Sequence, residues 1–220
     1  MKYFRISLSE IAAEVGFESE QYFSRIFKRY EGLTPTAYRK NQLKAKVYAG
    51  SIVALSYTVS SAIAQATGIF MGRFRGMGDM DKIGKIHTQN TVIAVLGNGI
   101  ISIILFALHV PLIGIFTNDA EIIKLAGLIM LIDIAVQIFR AFNHVNEHSL
   151  SSNGDVKVML ISSITSCWVF GIFCGYILGI RLGLGLPGIW IGFMHEEGVK
   201  TVVYSLRWKS KKWMLTNIGK

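Results

Sequence analysis

Cysteine is nearly missing from this chain: Cys167 and Cys174 are the only two, seven residues apart inside one apolar run. Seven residues make two helical turns, so the pair shares a helix face and does not bridge two elements. That excludes a disulfide framework and leaves two buried, reduced thiols as the expectation. Proline is almost as scarce, three in 220 residues, and no Pro-rich linker, low-complexity tract or internal repeat divides the sequence. Met1 leads straight into a charged amphipathic segment, so no signal peptide is expected. Enzyme signatures are missing as well. There is no phosphate-cradling loop and no nucleophile beside a base, and GMGD at 76–79 reads as a short interhelical turn. His87, His109, His144, His148 and His195 form no metal spacing with carboxylates. The sequence therefore points away from an enzyme, a metal or an organic cofactor.

Charge is absent over long stretches. Residues 47–72, 86–118, 158–180 and 182–195 contain no Asp, Glu, Lys or Arg. The 51% hydrophobic content and mean hydropathy of +0.43 arrive in these blocks. About twenty apolar residues cross a hydrocarbon core of about 30 Å. Five spans are predicted, at 51–72, 89–113, 120–141, 157–180 and 186–206, and so many in succession do not suit the buried helices of a soluble domain. The first is the weakest, because SIVALSYTVSSAIAQATGIF is rich in Ser, Thr, Gln and Ala. Small residues suit close helix packing in lipid, but also a segment lying at the interface.

What precedes Val47 has a different solvent. Residues 1–50 carry nine Lys or Arg against five Glu. Ser7 with Glu10 has the spacing of a capping box, and Leu8, Ile11, Ala12 and Val15 make an apolar stripe. Gly16 permits the left-handed turn that ends this helix. Ser19 caps a second helix, in which Tyr22, Phe23, Ile26 and Phe27 are predicted to point inward. Glu20, Gln21, Ser24, Arg25 and Lys28 are left on its outer face. Gly32 ends that helix, and Thr34 with Pro35 starts a third. Two short helices across a Gly turn make a helix-turn-helix, whose second helix can enter the DNA major groove. There Arg25 has the chemistry to read guanine and Gln21 adenine, while Lys28 and Arg29 suit phosphates. Spacing alone fits a solvated helix face equally well.

The run SEIAAEVGFESEQYFSRIFKRYEGLTPTAYRK resembles the second, C-terminal helix-turn-helix of the AraC/XylS transcription regulators. The resemblance implies DNA as a partner, contacted through Glu20, Gln21, Ser24, Arg25 and Lys28. Members of that family join two such motifs by a long helix, whereas one motif stands here.

Inside the apolar part a few charges stand out. Asp133 lies within the third span, where a carboxylate costs about 2.5 to 3.5 kcal/mol. Such groups usually face a cavity, a partner or a proton pathway; a cation- or proton-linked role and a helix-end position or structural hydrogen bond both fit Asp133. Glu196, Glu197 and Lys200 lie in the last span at spacings that allow intrahelical pairing, and a structural role is expected for them. Three stretches, GRFRGMGDMDKI, IFTNDAEIIKLA and SLSSNGDVKVMLISSITSCW, precede the closing LGLGLPGIWIGFMHEEGVKTVVYSLRWKSKKW. In this order they resemble the C-terminal half of the multidrug and toxic compound extrusion (MATE) transporters.

That family has twelve helices in two six-helix lobes and exports organic cations or other amphiphiles against sodium or protons. By position Asp133 would fall in the tenth helix, where some members carry a cation-linked acid, and Asn153, Gly154 and Asp155 in the following cytoplasmic loop. The resemblance implies Na⁺ or H⁺ as coupling ion, a multi-pass place in a bacterial plasma membrane, and a second lobe or second copy to complete a cavity. The whole then reads as all-α: a helix-turn-helix head over 1–46, and over 47–220 a polytopic bundle of about five transmembrane helices, one incomplete MATE lobe in which the head stands where the resemblance would place the seventh helix.

The two halves make opposing demands on topology. Arg73, Arg75, Lys82 and Lys85, like Arg207, Lys209, Lys211, Lys212 and Lys220, ask to stay cytoplasmic, placing the C-terminus inside. With five spans the head would then be external. Yet Arg39, Lys40, Lys44 and Lys46, and DNA binding itself, ask for the inside. Either 51–72 lies at the interface or turns back as a re-entrant hairpin, or the frame joins fragments that did not evolve as one unit. Three functions follow: an efflux antiporter lobe with a regulatory-type head, a membrane-tethered transcription regulator, or an inactive chimera.

Overall fold

The computed structural model describes residues 6–215, and among these every regular element is helical. The head is built by its caps. The Ser7 hydroxyl accepts from the Glu10 amide at 3.2 Å, and the Glu10 carboxylate accepts from the Ser7 amide at 2.7 Å, opening α1 (Leu8–Glu14). Gly16 turns the chain at φ 85°. Ser19 caps α2 (Glu20–Glu31), which stops at the left-handed Gly32, and Thr34 caps α3 (Pro35–Gly76). A chain of rings ties the turn after α1 to α2 and α3, from Phe17 to Phe23 (5.5 Å between centroids), Phe27 (5.7 Å) and Tyr38 (5.5 Å). Two predicted inward residues stay outside: Val15 is 56% exposed and Tyr22 54%. Three short helical stretches give this core one layer, so Tyr22 leans on Phe17 with one face and shows the other to solvent.

The third helix of the head and the first helix of the bundle are one continuous element of 42 residues, about 63 Å long at 1.5 Å per residue. Segment 51–72 is therefore neither a hairpin nor a break. Between Pro35 and Gly50 nothing interrupts helix formation, and the charges of Arg39 to Lys46 change the solvent without changing the backbone.

α4 (Met80–Ala107) returns across a three-residue turn. A short α5 (His109–Gly114) precedes α6 (Ala120–Ser152), the central helix, which packs on α3, α4 and α8. α7 (Val156–Arg181) is α-helical to Ser166 and takes the wider i→i+5 pitch over Cys167–Cys174 and Ile177–Arg181. α8 (Gly185–Lys209) and a 3₁₀ turn at Lys212–Leu215 close the described chain.

Four of these helices, α3, α4, α6 and α7, are long and apolar enough to cross a membrane. The fifth predicted span, α8, is a continuous 25-residue helix. Glu196, Glu197 and Lys200 in its interior lower its apolar character. α7 is the outermost helix and meets α8 along glycines. A Cβ added to Gly192 would lie 2.8 Å from Gly175 Cα, and one on Gly188 would lie 2.6 Å from the Leu178 carbonyl carbon. Such backbone-to-backbone approach is how helices pack in lipid without a hydrophobic drive. The opposite face of α7 is uncovered. Cys167 is exposed and Cys174 half-buried, correcting the expectation of buried thiols on one face: at the wider pitch seven residues do not return to the same side of the helix.

The bundle has two unlike ends. At one, Arg75 Nη1 donates to Asn153 Oδ1 at 3.0 Å and to the Trp213 carbonyl at 3.2 Å, and Arg207 pairs with Asp155. The turns at 77–79 and 153–155 and the C-terminal turn meet there. At the other end Tyr38 and Gln42 face Gly185, and Leu33, Tyr38 and Gln42 share a cleft with Glu121 and Lys124. The helix-turn-helix thus sits at the end opposite the Arg75 and Arg207 cluster.

Candidate functional site

Asp133 does not stand alone on its helix. Gln137, Arg140, Asn143, His144 and Glu147 follow it at three- and four-residue intervals along α6, which puts polar groups on adjoining parts of the helix surface over four turns. α8 supplies the partners. Asp133 is 4% exposed and accepts from Trp190 Nε1 at 3.0 Å and from Gln137 Nε2 at 2.9 Å. Asn98 of α4 donates to the Gln137 carbonyl at 2.8 Å. Its own Oδ1, like the Ser102 hydroxyl one turn along, is buried with no hydrogen-bond partner. Asp133 therefore lies in a region with free oxygen acceptors nearby on α4.

A compact ion cluster lies further along. Glu197 accepts from Asn143 Nδ2 at 2.8 Å and lies 3.3 Å from Arg140 and 3.1 Å from Lys200. Lys200 also reaches Glu196 at 3.2 Å. Two carboxylates and two cations thus balance, and Thr201 ties Asn143 to the α8 backbone through its hydroxyl at 3.0 Å and 2.9 Å. The three charges read in the sequence as intrahelical do pair along α8, and Glu197 joins them to α6 as well. Nearer the Arg75 end, Tyr204 donates to Glu147 at 3.1 Å. His144 lies 3.4 Å from the Ser60 hydroxyl, and His87 pairs with Asn146 at 3.1 Å while stacking on Trp208. Among the described residues no three His, Cys, Asp or Glu side chains gather as a metal site.

Gln137, Arg140, Asn143 and Glu147 were not picked out from the sequence. Their signal was present: the stripe begun by Asp133 continues at helical spacing past residue 141, where the predicted span was stopped.

In the head, Glu20, Gln21, Arg25 and Lys28 are exposed on α2 and Ser24 is half-buried. Gln21, Arg25 and Lys28 follow at intervals of four and three, so they share one face. This surface is far from Asp133, separated by the half of the bundle that contains Ala45, Ala49, Ile122 and Ile129.

Known proteins divide the chain in the same way. The family model of bacterial regulatory helix-turn-helix proteins, AraC family, matches residues 3–40, and the MatE model matches residues 36–177. An uncharacterized transporter of Bacillus subtilis, YisQ, is 32% identical over 172 residues, 78% of this chain and 38% of YisQ. The probable multidrug resistance protein NorM of Thermotoga maritima is 28% identical over 174 residues, 77% of this chain and 38% of NorM. The chain thus spans well under half the length of these relatives. The crystal structure of the eukaryotic MATE transporter AtDTX14 superposes with a TM-score of 0.74 at 16% identity, over 87% of this chain and 42% of that one. That likeness shows the fold. With the family match covering most of the bundle, the chain belongs to the MatE family and carries an AraC-type helix-turn-helix at its N-terminal end.

Proposed function

We propose that the bundle is a transport lobe that couples the export of an organic cation or amphiphile to the entry of Na⁺ or H⁺, with Asp133 as the cation-linked carboxyl. One observation carries this reading: a carboxylate 4% exposed at the centre of α6, held by two neutral donors and in no ion pair among the described residues. Such a group in a membrane is costly to keep unless an ion is to meet it. The oxygens of Asn98 and Ser102 nearby suit a hard cation. Family membership fits a non-enzymatic role. Because the chain spans 38% of its relatives, a second lobe or second copy would supply the facing wall of the cavity. The C-terminal end, with Arg73, Arg75, Lys82, Arg207, Lys209 and Lys211 about it, is assigned to the cytoplasm of a bacterial plasma membrane by the positive-inside rule.

The test is dye efflux from cells producing the whole chain. The cation-dependent part of the efflux is expected to vanish in Asp133→Asn, and equal efflux with the variant would overturn the assignment.

A second reading, a membrane-tethered regulator, is favoured by the exposed Gln21, Arg25 and Lys28 on an AraC-type α2. Specific DNA binding weakened about 1–3 kcal/mol by Arg25→Ala would support it. Against it stands the head's position at the bundle end opposite the cationic turns. Protease accessibility of residues 7–34 in right-side-out spheroplasts separates the two, since an external head has no access to DNA.

A further inference from the structure

Six charged side chains line the contact of α6 with α8, and four of them cancel. Arg140 and Lys200 are matched to Glu197 and Glu196 at 3.1–3.3 Å. The other two, Asp133 and Glu147, have no ion pair among the described residues. They are fourteen residues apart, about 21 Å along the helix, so they are separate sites.

Their surroundings differ in kind. Asp133 faces Trp190 Nε1–H and the Gln137 amide NH₂, groups that donate and do not accept. Both are satisfied only while Asp133 offers lone pairs. Glu147 faces a hydroxyl: Tyr204 Oη donates to Glu147 Oε1 at 3.1 Å and lies 2.9 Å from Ser163 Oγ of α7. Hydroxyls reverse. With Glu147 ionised, Ser163 donates to Tyr204 and Tyr204 to Glu147. With Glu147 protonated, its O–H donates to Tyr204 and Tyr204 donates to Ser163. Each state keeps the same three groups bonded and leaves Tyr204, 0% exposed, satisfied as donor and acceptor; only in the protonated state does a hydroxyl, that of the half-buried Ser163, turn its proton away from the pair. A cation would need several convergent oxygens, whereas the group hydrogen-bonded to Glu147 among the described residues is a hydroxyl that donates to it.

We propose that Glu147 is a second ion-carrying carboxyl of the lobe, loaded with a proton, and that Tyr204 with Ser163 is the reversible hydroxyl pair that accommodates both of its states. The charged and titratable groups around it are consistent with this. α8 brings Lys200 and Glu197, already paired to each other, and α6 itself brings His144 and His148. His87 lies on α4, beside Asn146. α3 has no Asp, Glu, Lys or Arg between Lys46 and Arg73, and α7 has Lys157 only, in its first turn. A net negative charge is therefore left at Glu147 that a proton would remove. The coupling role rests on the transport reading; the protonation does not.

Infrared difference spectra of the whole chain in lipid nanodiscs, recorded between alkaline and acid pH, test it. A protonated-carboxyl C=O band that is lost in Glu147→Gln and kept in Glu147→Asp is expected, with the band moved to higher wavenumber in Tyr204→Phe, where its partner is gone. A spectrum of Glu147→Gln identical to that of the wild type overturns the proposal, as does a band indifferent to Tyr204→Phe should Glu147→Gln fail to fold. If the band behaves as expected while wild-type cells show no efflux, protonation stands and the transport reading falls.

Discussion

Trp190 of α8 donates its indole N–H to Asp133 of α6 at 3.0 Å, joining the two helices through a carboxylate that is almost wholly buried. The indole also packs in the apolar cluster with Ile129, Met130 and Val136, so its ring and its N–H have separable roles. Trp190→Phe keeps the ring and removes the donor. A hydrogen bond to a charged group is worth about 1.5–3 kcal/mol, and a loss of that order is expected in thermal unfolding of the detergent-solubilised protein. Unchanged unfolding would mean that Gln137 alone holds Asp133.

The Arg140, Glu196, Glu197 and Lys200 cluster predicts non-additive mutagenesis. Lys200→Met leaves two carboxylates at the α6–α8 contact with one guanidinium between them, and breaking a buried pair in this way costs about 3–5 kcal/mol. Lys200→Met with Glu196→Gln restores the balance at one charge each and is expected to recover part of the loss. Unfolding midpoints of the single and double variants decide it: a double variant no better than Lys200→Met rules out charge balance as the cluster's role.

How much was legible follows from how local each signal is. Ser7, Ser19 and Thr34 were readable as caps because a cap is decided within four residues. Asp133 was readable because one charge in an apolar run needs no partner to be noticed. Glu147 was not, because the α6 span was stopped at 141 when apolar residues thinned, although the helix runs on to Ser152. The continuity of α3 was hidden for a related reason: Arg39 to Lys46 mark a change of solvent, and a helix can pass through one unbroken. Tyr22 and Val15 were placed inward by periodicity, which reports a face and not whether anything lies against it. The exposure of Cys167 depended on which side α8 packs, and only the Gly171, Gly175 and Gly179 spacing on α7 hinted at that.

The capping box of α1 makes the head sensitive to acid. Hydrogen bonds from the Ser7 amide and hydroxyl hold the Glu10 carboxyl below its ordinary value of 4.5. A depressed folded value means a stabilisation that is present above the unfolded value and lost as pH falls through the folded one. Protection of the α1 amides, followed by hydrogen exchange and corrected for intrinsic rate, is expected to drop on the acid side of 4.5. In Glu10→Gln that acid-side step is expected to disappear. A step of the same size in both proteins would assign it to another carboxyl.

The glycine seam between α7 and α8 gives the last test, and it separates close approach from mere occurrence of glycine. At Gly192 an added methyl would fall 2.8 Å from the Gly175 backbone, which has no rotamer by which to move aside. At Gly198, on the same helix, the nearest atom would be the edge of the Phe139 ring at 3.8 Å, an ordinary contact. Alanine is the better helix former by about 1 kcal/mol, so Gly198→Ala is expected to be neutral or stabilising. Gly192→Ala pushes two backbones apart, and overpacking of this kind costs about 1–3 kcal/mol. Because α7 holds to the bundle mainly through α8, the strain should also show as faster maleimide labelling of the half-buried Cys174 relative to the already exposed Cys167. Equal behaviour of the two alanine variants in unfolding and in labelling would mean that α7 and α8 lie further apart than their glycines suggest.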